Sequence, residues 1–403
     1  MALEEPPRFL LFLPQLSTDF SFESVKKLYG DTVSQVLKEA DSHSKEYTKP
    51  AVLDIALACP HLVGQRRSPR GSLYQQTQSL LAAVYKLICI TAAKYDVNIE
   101  DADGVDVRVL LVAWNGDDEA SSQHQSVYGP VVTLHTLAQS GRQWQFAFGV
   151  ETQSGEAMVK AFVVAKGGGA QVTSVNNGQT TSAGSDRTAT NPDATQAAAS
   201  SSDSRRHQHV AVGGTFDHIH IGHKLLLTMT LFAVDEGHEE RTCTIGITGD
   251  EMLKNKKHAE VLESWQDRQR ITSGFLESLI DFSPDGSQKT NGTTRDAPGP
   301  NGKSVDFQYP NGLTVKYTEI QDPFGPTITE EAISALVLSG ETRSGGKAVN
   351  DKRTAQGWKE LEVFEVEVLD PVEGGETVRE GFESKLSSSA IREKIARKRK
   401  GSL

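Results

Sequence analysis

Histidines and glycines are concentrated in one stretch of the C-terminal half, His209–Lys224. An apolar segment there runs into two glycines, then a polar turn, then a helix that opens at Gly222. Glycines let a backbone approach a phosphate closely, and the free N–H groups and dipole of a helix N-terminus attract an anion. His220 and His223 are three residues apart across this turn, so both can point into one pocket. The stretch therefore predicts phosphate chemistry.

Two other interpretations of the same stretch compete with a phosphate site. The first is an ordinary loop between a strand and a helix, and the second is a metal site. A zinc site would usually supply a third ligand and surrounding carboxylates, and Asp217 is the only nearby candidate in the sequence. We therefore predict no metal-binding residues.

A second run of residues suited to phosphate lies near the C-terminus, in Leu386–Arg392. It contains three consecutive serines, Ser387, Ser388 and Ser389, and Arg392 follows one helical turn later. Hydroxyls and backbone amides at a helix N-terminus form a phosphate cradle, to which an arginine adds positive charge. Alone, such serines would more often be a plain N-cap. Paired with the first stretch, they predict the second half of a nucleotide site.

The elements that must position these residues alternate between strand and helix patterns from about residue 207 onward. Strands are predicted at Val210–Val212, Thr242–Thr248, Leu313–Ile320, Ala335–Leu338 and Val363–Leu369. Helices are predicted over Gly222–Glu236 and Trp265–Ile280, with further helices from Thr329, Ala348 and Ser387. This alternation predicts a parallel sheet covered on both faces, with ligands beyond the carboxyl ends of its strands.

One segment, Pro284–Ser304, interrupts that alternation and is rich in Gly, Asn, Pro, Thr and Asp. It contains Gly299-Pro-Asn-Gly-Lys-Ser304, which superficially suggests a P-loop. Ala297 stands where the first glycine of a P-loop belongs, and neither a preceding strand nor a following helix is predicted. Residues 284–304 are predicted to be a disordered, low-complexity insertion.

Residues 1–166 predict a smaller α/β or α+β domain. Strands are predicted at Arg8–Leu16, Ala51–Cys59 and Val105–Trp114, and helices over Val25–Leu37 and Ser72–Tyr95. Both Val127–Leu137 and Trp144–Ala165 alternate as the strands of a hairpin would. No catalytic constellation is visible in this region, where His61, His124 and His135 are scattered.

The composition changes sharply at about Gly167, from where Gly, Ser, Thr, Ala, Asn and Gln dominate as far as about Arg206. Such a segment cannot bury enough apolar surface to offset its ordering entropy. Residues 167–206 are therefore predicted to be a flexible linker, and residues 207–403 to be the second domain. A length of 403 residues agrees with two domains and a linker.

The bulk properties exclude several classes of protein. A formal net charge of −11 argues against a general nucleic-acid binder, which normally carries a basic face. No stretch reaches the roughly 18 apolar residues of a transmembrane helix, and the acidic start is neither a signal nor a transit peptide. Cys59, Cys89 and Cys243 lack CxxC spacing, which favours buried free thiols. We expect a cytoplasmic protein without nucleic-acid or membrane partners.

The two phosphate motifs together point to a known superfamily. Gly214-Thr-Phe-Asp217 followed by His220-Ile-Gly-His223 resembles the first signature of nucleotidyltransferases with the HxGH motif, and the serine run resembles the second. Within the superfamily, the chain is most similar to phosphopantetheine adenylyltransferases of the eukaryotic, fungal-like type. That similarity rests on Asp217 and on the stretches Gly246–Lys257, Trp265–Arg268, Asp322–Pro326 and Val337–Gly346.

The resemblance implies a Rossmann-like nucleotidyltransferase domain that transfers AMP from ATP to 4′-phosphopantetheine, with Mg²⁺ accompanying the nucleotide. The products would be dephospho-CoA and pyrophosphate. By family position, Thr215 would hold the attacking phosphate, His223 would stabilise the transition state and His220 would contact the triphosphate.

The resemblance also implies a lysine that bridges the reacting phosphates, and Lys254 and Lys256 are the first candidates, with Lys257 an alternative. Further residues implied for binding the acceptor are Gly214, Phe216, Asp217, Glu341 and Arg343. Residues implied for binding ATP are Gly213, Gly222, Ser387, Ser388, Ser389 and Arg392.

Several alternatives remain open from the sequence. The acceptor can be another phosphorylated molecule such as nicotinamide mononucleotide, because those enzymes share the nucleotide site. HxGH alone also fits class I aminoacyl-tRNA synthetases, although no Lys-Met-Ser-Lys-Ser loop is visible. The N-terminal domain can be an assembly module that forms a homo-oligomer or docks to other enzymes of CoA synthesis. A non-catalytic scaffold is the last alternative.

Overall fold

The computed structural model describes residues 7–16, 19–46, 50–100, 104–116, 126–167, 205–237, 240–286, 289–369, 372–373, 376–377 and 386–401. Most of the predicted linker, residues 167–206, lies outside the described residues. Within them, no helix combines the length and the apolar character that crossing a membrane would need.

The N-terminal domain is a parallel sheet covered by helices. Its strands are β1 (Arg8–Leu13), β2 (Ala51–Ala58), β3 (Val105–Ala113), β4 (Val131–Thr133) and β5 (Phe146–Gly149). Its helices are α1 (Phe22–Glu46), α2 (Arg70–Lys94), α3 (Leu134–Gln139) and α4 (Gln153–Ala165). The strand order is β4-β3-β2-β1-β5, and every neighbouring pair is parallel. Nearly continuous apolar sequences in β1 and β2 fit strands buried on both faces.

The predicted hairpins of this domain are wrong. Each of the two segments forms a short parallel strand followed by a helix, which makes the domain α/β. The cause is helix capping: the Thr133 hydroxyl accepts a hydrogen bond from the Thr136 amide, and the Thr152 hydroxyl accepts one from the Gly155 amide. Both threonines therefore start helices in what reads as alternating sequence.

The C-terminal domain is Rossmann-like, as predicted. Its strands are β6 (His209–Gly214), β7 (Arg241–Thr248), β8 (Thr293–Asp296), β9 (Lys303–Gln308), β10 (Leu313–Ile320), β11 (Ala335–Ser339) and β12 (Glu362–Val366), with a two-residue pair β13 (Val372–Glu373) and β14 (Glu376–Thr377). Its helices are α5 (Ile221–Phe232), α6 (Trp265–Ile280), α7 (Arg343–Ala355) and α8 (Ser388–Gly401). The strand order is β12-β11-β6-β7-β10-β9-β8, parallel from β12 to β10.

The insertion predicted to be disordered is largely ordered. Strands β8 and β9 form an antiparallel hairpin at the edge of the sheet, next to β10. At its turn Gly299 and Asn301 adopt positive φ values of 103° and 63°. A strand therefore does precede the P-loop-like run, but another strand follows it. The side chains of β9 alternate between buried and partly exposed, as those of a half-buried strand do. This alternation is hard to detect in the sequence because the surrounding composition is typical of turns.

Two predicted helix starts also differ from the structure. A 3₁₀ helix, Gly325–Ile328, ends before Thr329, where a helix was expected to begin. Helix α7 begins at Arg343, five residues before the predicted Ala348. The polar first turn of α7 carries no apolar period, so periodicity alone placed its start too late.

The two domains share one hydrophobic core. Helix α2 of the N-terminal domain packs against α5 of the C-terminal domain. Backbone hydrogen bonds also join them, since the Gly129 amide donates to the Ile280 carbonyl at 2.7 Å and the Phe282 amide donates to the Val127 carbonyl at 2.9 Å. The segment between the domains therefore joins two bodies that are already packed together.

Candidate functional site

A cleft of about 970 Å³ opens at the carboxyl ends of the parallel strands of the C-terminal sheet. Its walls include the segments that follow β6 and β11, which are neighbours in the sheet. The strand order reverses here, because β7 and β10 lie on one side of β6 while β11 and β12 lie on the other. Ligands of open α/β sheets bind at such a reversal. The cleft is therefore the candidate functional site.

The turn after β6 is tightly wound. Phe216 and His218 have φ values of 51° and 47°, in the left-handed region. The Phe216 ring is fully buried and folds back against Gly214, where a Cβ atom would lie 2.9 Å from the ring's Cζ. The ring fits there because Gly214 has no Cβ. Gly213, Gly214 and Thr215 all lie in the cleft wall.

The two histidines of the motif lie together in the same wall, with ring centroids 3.9 Å apart. Burial lowers the pKa of His223 to about 4, although Asp217 opposes this, and burial holds the pKa of His220 well below its ordinary value. Both imidazoles are therefore neutral at pH 7, and each keeps one N–H donor. Among the described residues neither Nδ1 atom has a hydrogen-bond partner.

Helix α5 places these histidines. It begins at Ile221, so His220 is its N-cap residue and Gly222 and His223 lie in its first turn. The amides of a first turn lack partners within the helix and favour an anion there. A Cβ atom at Gly222 would lie 3.2 Å from Cε1 of His220, so glycine leaves room for this imidazole.

The structure distinguishes among the candidate lysines. Lys256 lines the cleft. Lys254 is exposed outside the cleft lining and pairs with Glu251. Lys257 lies outside the lining as well, and its carbonyl accepts a hydrogen bond from the Arg392 guanidinium at 3.1 Å. Lys256 is therefore the best placed of the three.

The predicted serine cradle forms another part of the cleft wall. Ser387, Ser388, Ser389 and Arg392 all line the cleft. Helix α8 begins at Ser388, and the Ser387 hydroxyl accepts a hydrogen bond from the Ala390 amide at 3.4 Å. The structure therefore brings the second phosphate motif to the same cleft as the first.

Arg392 and Asp217 form a buried ion pair at the edge of the cleft, where Arg392 belongs to the lining and Asp217 does not. The guanidinium donates to Oδ2 of Asp217 at 2.6 Å and to the Ser389 hydroxyl at 3.0 Å. The other carboxylate oxygen of Asp217 accepts a hydrogen bond from the Glu263 amide at 2.9 Å. Asp217, predicted to bind the acceptor, is fully buried and outside the cleft lining. Its place indicates that it braces α8 against the turn after β6.

The segment after β11 contributes one of its two predicted residues to the cleft. Glu341 lines the cleft, whereas Arg343 does not. The Arg343 side chain is 74% exposed and pairs with Glu365. The cleft instead gains Thr342 and Glu367, neither of which was predicted.

Arg268 in α6 is a buried residue to which the sequence assigned no role. Its guanidinium donates to the Thr215 carbonyl at 2.7 Å, to the Glu263 carbonyl at 3.0 Å and to the Asp250 carboxylate at 2.6 Å. These bonds hold the turn after β6 against the segment after β7. The sequence showed only its place in Trp265–Arg268, because arginines are mostly exposed and burial of one has no sequence signature.

The described residues contain no cluster of three or more His, Cys, Asp or Glu side chains suited to a metal ion. Mg²⁺ is commonly bound through one or two carboxylates together with substrate phosphates, so such a cluster is not required for it. Asp322 lines the cleft, but its two carboxylate oxygens accept hydrogen bonds from Phe324, Gly325 and Asn301. Glu341 and Glu367 are the remaining carboxylates of the lining.

Comparisons with protein families match both halves of the chain. Residues 211–394 match a family described as cytidylyltransferase-like, and residues 1–183 match one described as a domain of unknown function, DUF8446. The match over the C-terminal domain agrees with the similarity to nucleotidyltransferases that its motifs predicted.

Comparisons with individual proteins agree. The chain is 35% identical over 188 residues to an uncharacterized protein of Schizosaccharomyces pombe, covering 46% of this chain and 48% of that protein. It is 34% identical over 190 residues to the phosphopantetheine adenylyltransferase of Saccharomyces cerevisiae, covering 47% and 49%. The enzyme of the same name from Pyrococcus horikoshii is 29% identical, covering 47% of this chain and 90% of that one. The matched region thus spans about half the length of the two fungal relatives.

Among solved structures, a protein of unknown function from Archaeoglobus fulgidus has a TM-score of 0.26 and 22% identity to this chain. The match covers 40% of this chain and 98% of that one.

Proposed function

We propose that this protein is a pantetheine-phosphate adenylyltransferase, which transfers AMP from ATP to 4′-phosphopantetheine to give dephospho-CoA and pyrophosphate. The observation that carries the proposal is the meeting of two phosphate motifs in one cleft. The turn after β6 with His220 and His223 forms one wall, and the N-terminus of α8 forms another. An adenylyltransferase must hold a triphosphate and a second phosphate side by side.

The rest of the cleft and the names of the relatives support 4′-phosphopantetheine as the acceptor. Beyond the histidines the lining is largely apolar, and includes Leu226, Phe324, Leu336, Leu338 and Val349. The pantetheine arm is neutral and partly aliphatic, so it suits such walls better than a second charged nucleotide does. Relatives from yeast and several archaea carry the name phosphopantetheine adenylyltransferase.

The proposed reaction is an in-line displacement at the α-phosphorus of ATP. An oxygen of the acceptor phosphate forms a bond to that phosphorus, and the bond from it to the bridging oxygen of the β-phosphate breaks. The electron pair of the broken bond leaves with pyrophosphate. A phosphate dianion is already nucleophilic, so no general base is required. Catalysis then consists of positioning the reactants and stabilising charge on the phosphates.

The residues of the cleft divide this work. Thr215 lies at the turn after β6, where it would hold the acceptor phosphate. The neutral imidazole of His223 would donate a hydrogen bond to the reacting α-phosphate, and His220 would contact the triphosphate. Lys256 would bridge the two substrates, because among the candidate lysines it is the one in the cleft lining.

The serines at the start of α8 and the amides of that helix would bind ATP. Arg392 would act mostly by holding this helix in place, because its guanidinium is bound to Asp217, Ser389 and Lys257. Mg²⁺ bound to the nucleotide would neutralise charge on its phosphates.

The test is pyrophosphate release by the full chain with ATP and Mg²⁺, with 4′-phosphopantetheine compared against nicotinamide mononucleotide. We expect release only with 4′-phosphopantetheine. Release only with the mononucleotide would keep the superfamily and replace the acceptor. No release with either would favour a non-catalytic scaffold.

A further inference from the structure

Lys224, the residue directly after His223, does not reach into the cleft. It is buried, with 4% of its surface exposed, and its ammonium donates to Oδ1 of Asp106 at 2.6 Å and to the Val107 carbonyl at 2.8 Å. Both acceptors lie on β3 of the N-terminal domain. The first turn of α5 therefore carries histidines toward the cleft and an ammonium toward the other domain.

The carboxylate of Asp106 and the cations of Lys224 and Arg108 stabilise one another's charged forms. Burial acts to raise the pKa of Asp106, but the charges of Lys224 and Arg108 outweigh it and hold that pKa well below its usual range. Asp106 also accepts a hydrogen bond from Arg108 at 2.6 Å. A buried ammonium is costly without a partner, so the position of Lys224 is tied to this carboxylate.

A second contact of the same kind lies beyond the other end of α5. Glu236 pairs with buried Arg70 of α2 at 2.7 Å, and Arg66 pairs with the same carboxylate at 2.8 Å. The Arg70 amide also donates to Asp235 at 2.8 Å. The N-terminal domain thus holds α5 near both ends, and only the Lys224 end lies beside the histidines.

Helix α2 also contacts a second part of the cleft wall, at the end of β12. The Gln78 side chain accepts a hydrogen bond from the Glu367 amide at 3.3 Å, and the Tyr74 ring stacks on Phe364 with centroids 4.6 Å apart. Glu367 is part of the cleft lining. The N-terminal domain therefore contacts the elements that form the candidate site at two places.

From these contacts we infer that Asp106 of the N-terminal domain is a positioning residue of the transferase site. Through Lys224 it fixes the first turn of α5, and with it the direction in which His220 and His223 face the phosphates. The inference rests on the proposed function for its catalytic consequence. It gives the N-terminal domain a role within the same chain.

The experiment compares two single variants of the full chain that remove matched cations. Lys224→Met removes the cation beside the histidines and leaves Asp106 paired with Arg108. Arg70→Met removes the cation beyond the far end of α5 and leaves Glu236 paired with Arg66. Both variants should lower the unfolding temperature. Only Lys224→Met should lower kcat, by on the order of 10- to 10²-fold with KM for ATP little changed, because a small misplacement of catalytic groups is that costly.

A double variant, Asp106→Leu with Lys224→Met, removes both charges and keeps the test open if the single variant does not fold. Replacing a buried ion pair by apolar residues is often neutral for stability. We expect the double variant to regain only part of the lost thermal stability, because Arg108 loses its Asp106 partner, and to keep the low kcat. Parental kcat in the folded double variant, or an equal loss of kcat in Arg70→Met, would overturn the inference.

A second readout does not depend on the reaction. Amide hydrogen exchange should quicken at residues 224–227 of α5, where the amides begin to be hydrogen-bonded within the helix, in Lys224→Met and not in Arg70→Met. If the parent releases no pyrophosphate but exchange changes in this way, positioning stands and the proposed function fails. Unchanged exchange at residues 224–227 of α5 would overturn the inference whether or not the parent is active.

Discussion

At the scale of single residues, the proposed transfer of AMP depends on the neutral imidazoles of His220 and His223, which stack in the cleft wall. A neutral imidazole has one N–H group, which can donate a hydrogen bond to a phosphate oxygen. His223→Ala is expected to lower kcat by on the order of 10²–10³-fold, the loss typical of removing one donor to a developing charge. The measurement is steady-state pyrophosphate release. His209→Ala, outside the cleft lining, is the control and should keep parental kcat; near-parental kcat in His223→Ala would contradict the assigned role.

The same histidine makes a prediction about stability and pH. Its pKa is about 4 in the folded chain, whereas an unfolded histidine titrates near pH ~6.5. Between these values the unfolded chain binds a proton that the folded chain does not. The contribution of this group to the free energy of unfolding is therefore complete above pH ~6.5 and is lost as the pH falls toward 4.

The test is chemical denaturation of the parent and of His223→Asn between pH 7 and pH 4.5. The parent should lose more stability than the variant over this range, since asparagine does not titrate. Identical losses would show that His223 is not held in its neutral form by burial.

At the scale of one element, a substitution of Gly222 should affect activity and stability differently. Alanine is the better helix former by roughly 1 kcal/mol, yet a Cβ at Gly222 would press on the His220 imidazole at 3.2 Å. Gly222→Ala should therefore lower kcat while the unfolding temperature stays level or rises. Gly274→Ala in α6 is the matched control, because a Cβ there meets nothing within 4 Å, and it should stabilise without changing kcat. Unchanged kcat in Gly222→Ala would remove the steric argument.

The loop after β7 offers a second comparison at this scale. Lys256 lines the cleft, while Lys254 pairs with Glu251 outside the lining. Lys256→Ala should reduce kcat by on the order of 10²-fold, as for loss of one electrostatic contact to the phosphates, and Lys254→Ala should leave it near the parental value. Steady-state kinetics of the two variants decides between the lysines, and the reverse pattern would move the catalytic role to Lys254.

Much of the fold follows from the sequence, and the failures have physical causes. Strands β7 and β10 and helix α6 follow from hydrophobic periodicity because one face or both faces are buried. The helices that Thr133 and Thr152 start were missed, since a cap outweighs a short alternating pattern. The hairpin of β8 and β9 was missed because Gly, Asn and Pro mark a turn as readily as a disordered segment.

The candidate site also contains residues whose place follows from the sequence and residues whose place does not. The glycines, histidines and serines of the two motifs line one cleft, because spacing along a strand–turn–helix unit fixes which way they face. Asp217 and Arg268 instead lie buried outside the cleft lining, where they brace the turn after β6. Whether a charged side chain contacts a ligand or a neighbouring backbone depends on tertiary packing, which no local pattern encodes.

At the scale of the whole molecule, the two domains are joined by a shared core as well as by the chain. Buried pairs such as Arg70–Glu236 cross this contact. A protease site placed within residues 168–204 should therefore allow the chain to be cut without separating its halves. Size-exclusion chromatography after cleavage should give one peak containing both fragments, with activity retained. Two separate peaks would contradict a permanent domain contact and would favour the predicted assembly module on a flexible linker.

The proposed transfer of AMP is tested most directly by mass spectrometry of the products that the full chain forms from ATP, Mg²⁺ and 4′-phosphopantetheine. We expect dephospho-CoA and pyrophosphate in equal amounts, and on the order of 10²–10³-fold less of both from the His223→Ala variant over the same interval. Unchanged substrates, or ADP with a phosphorylated acceptor in place of dephospho-CoA, would contradict it.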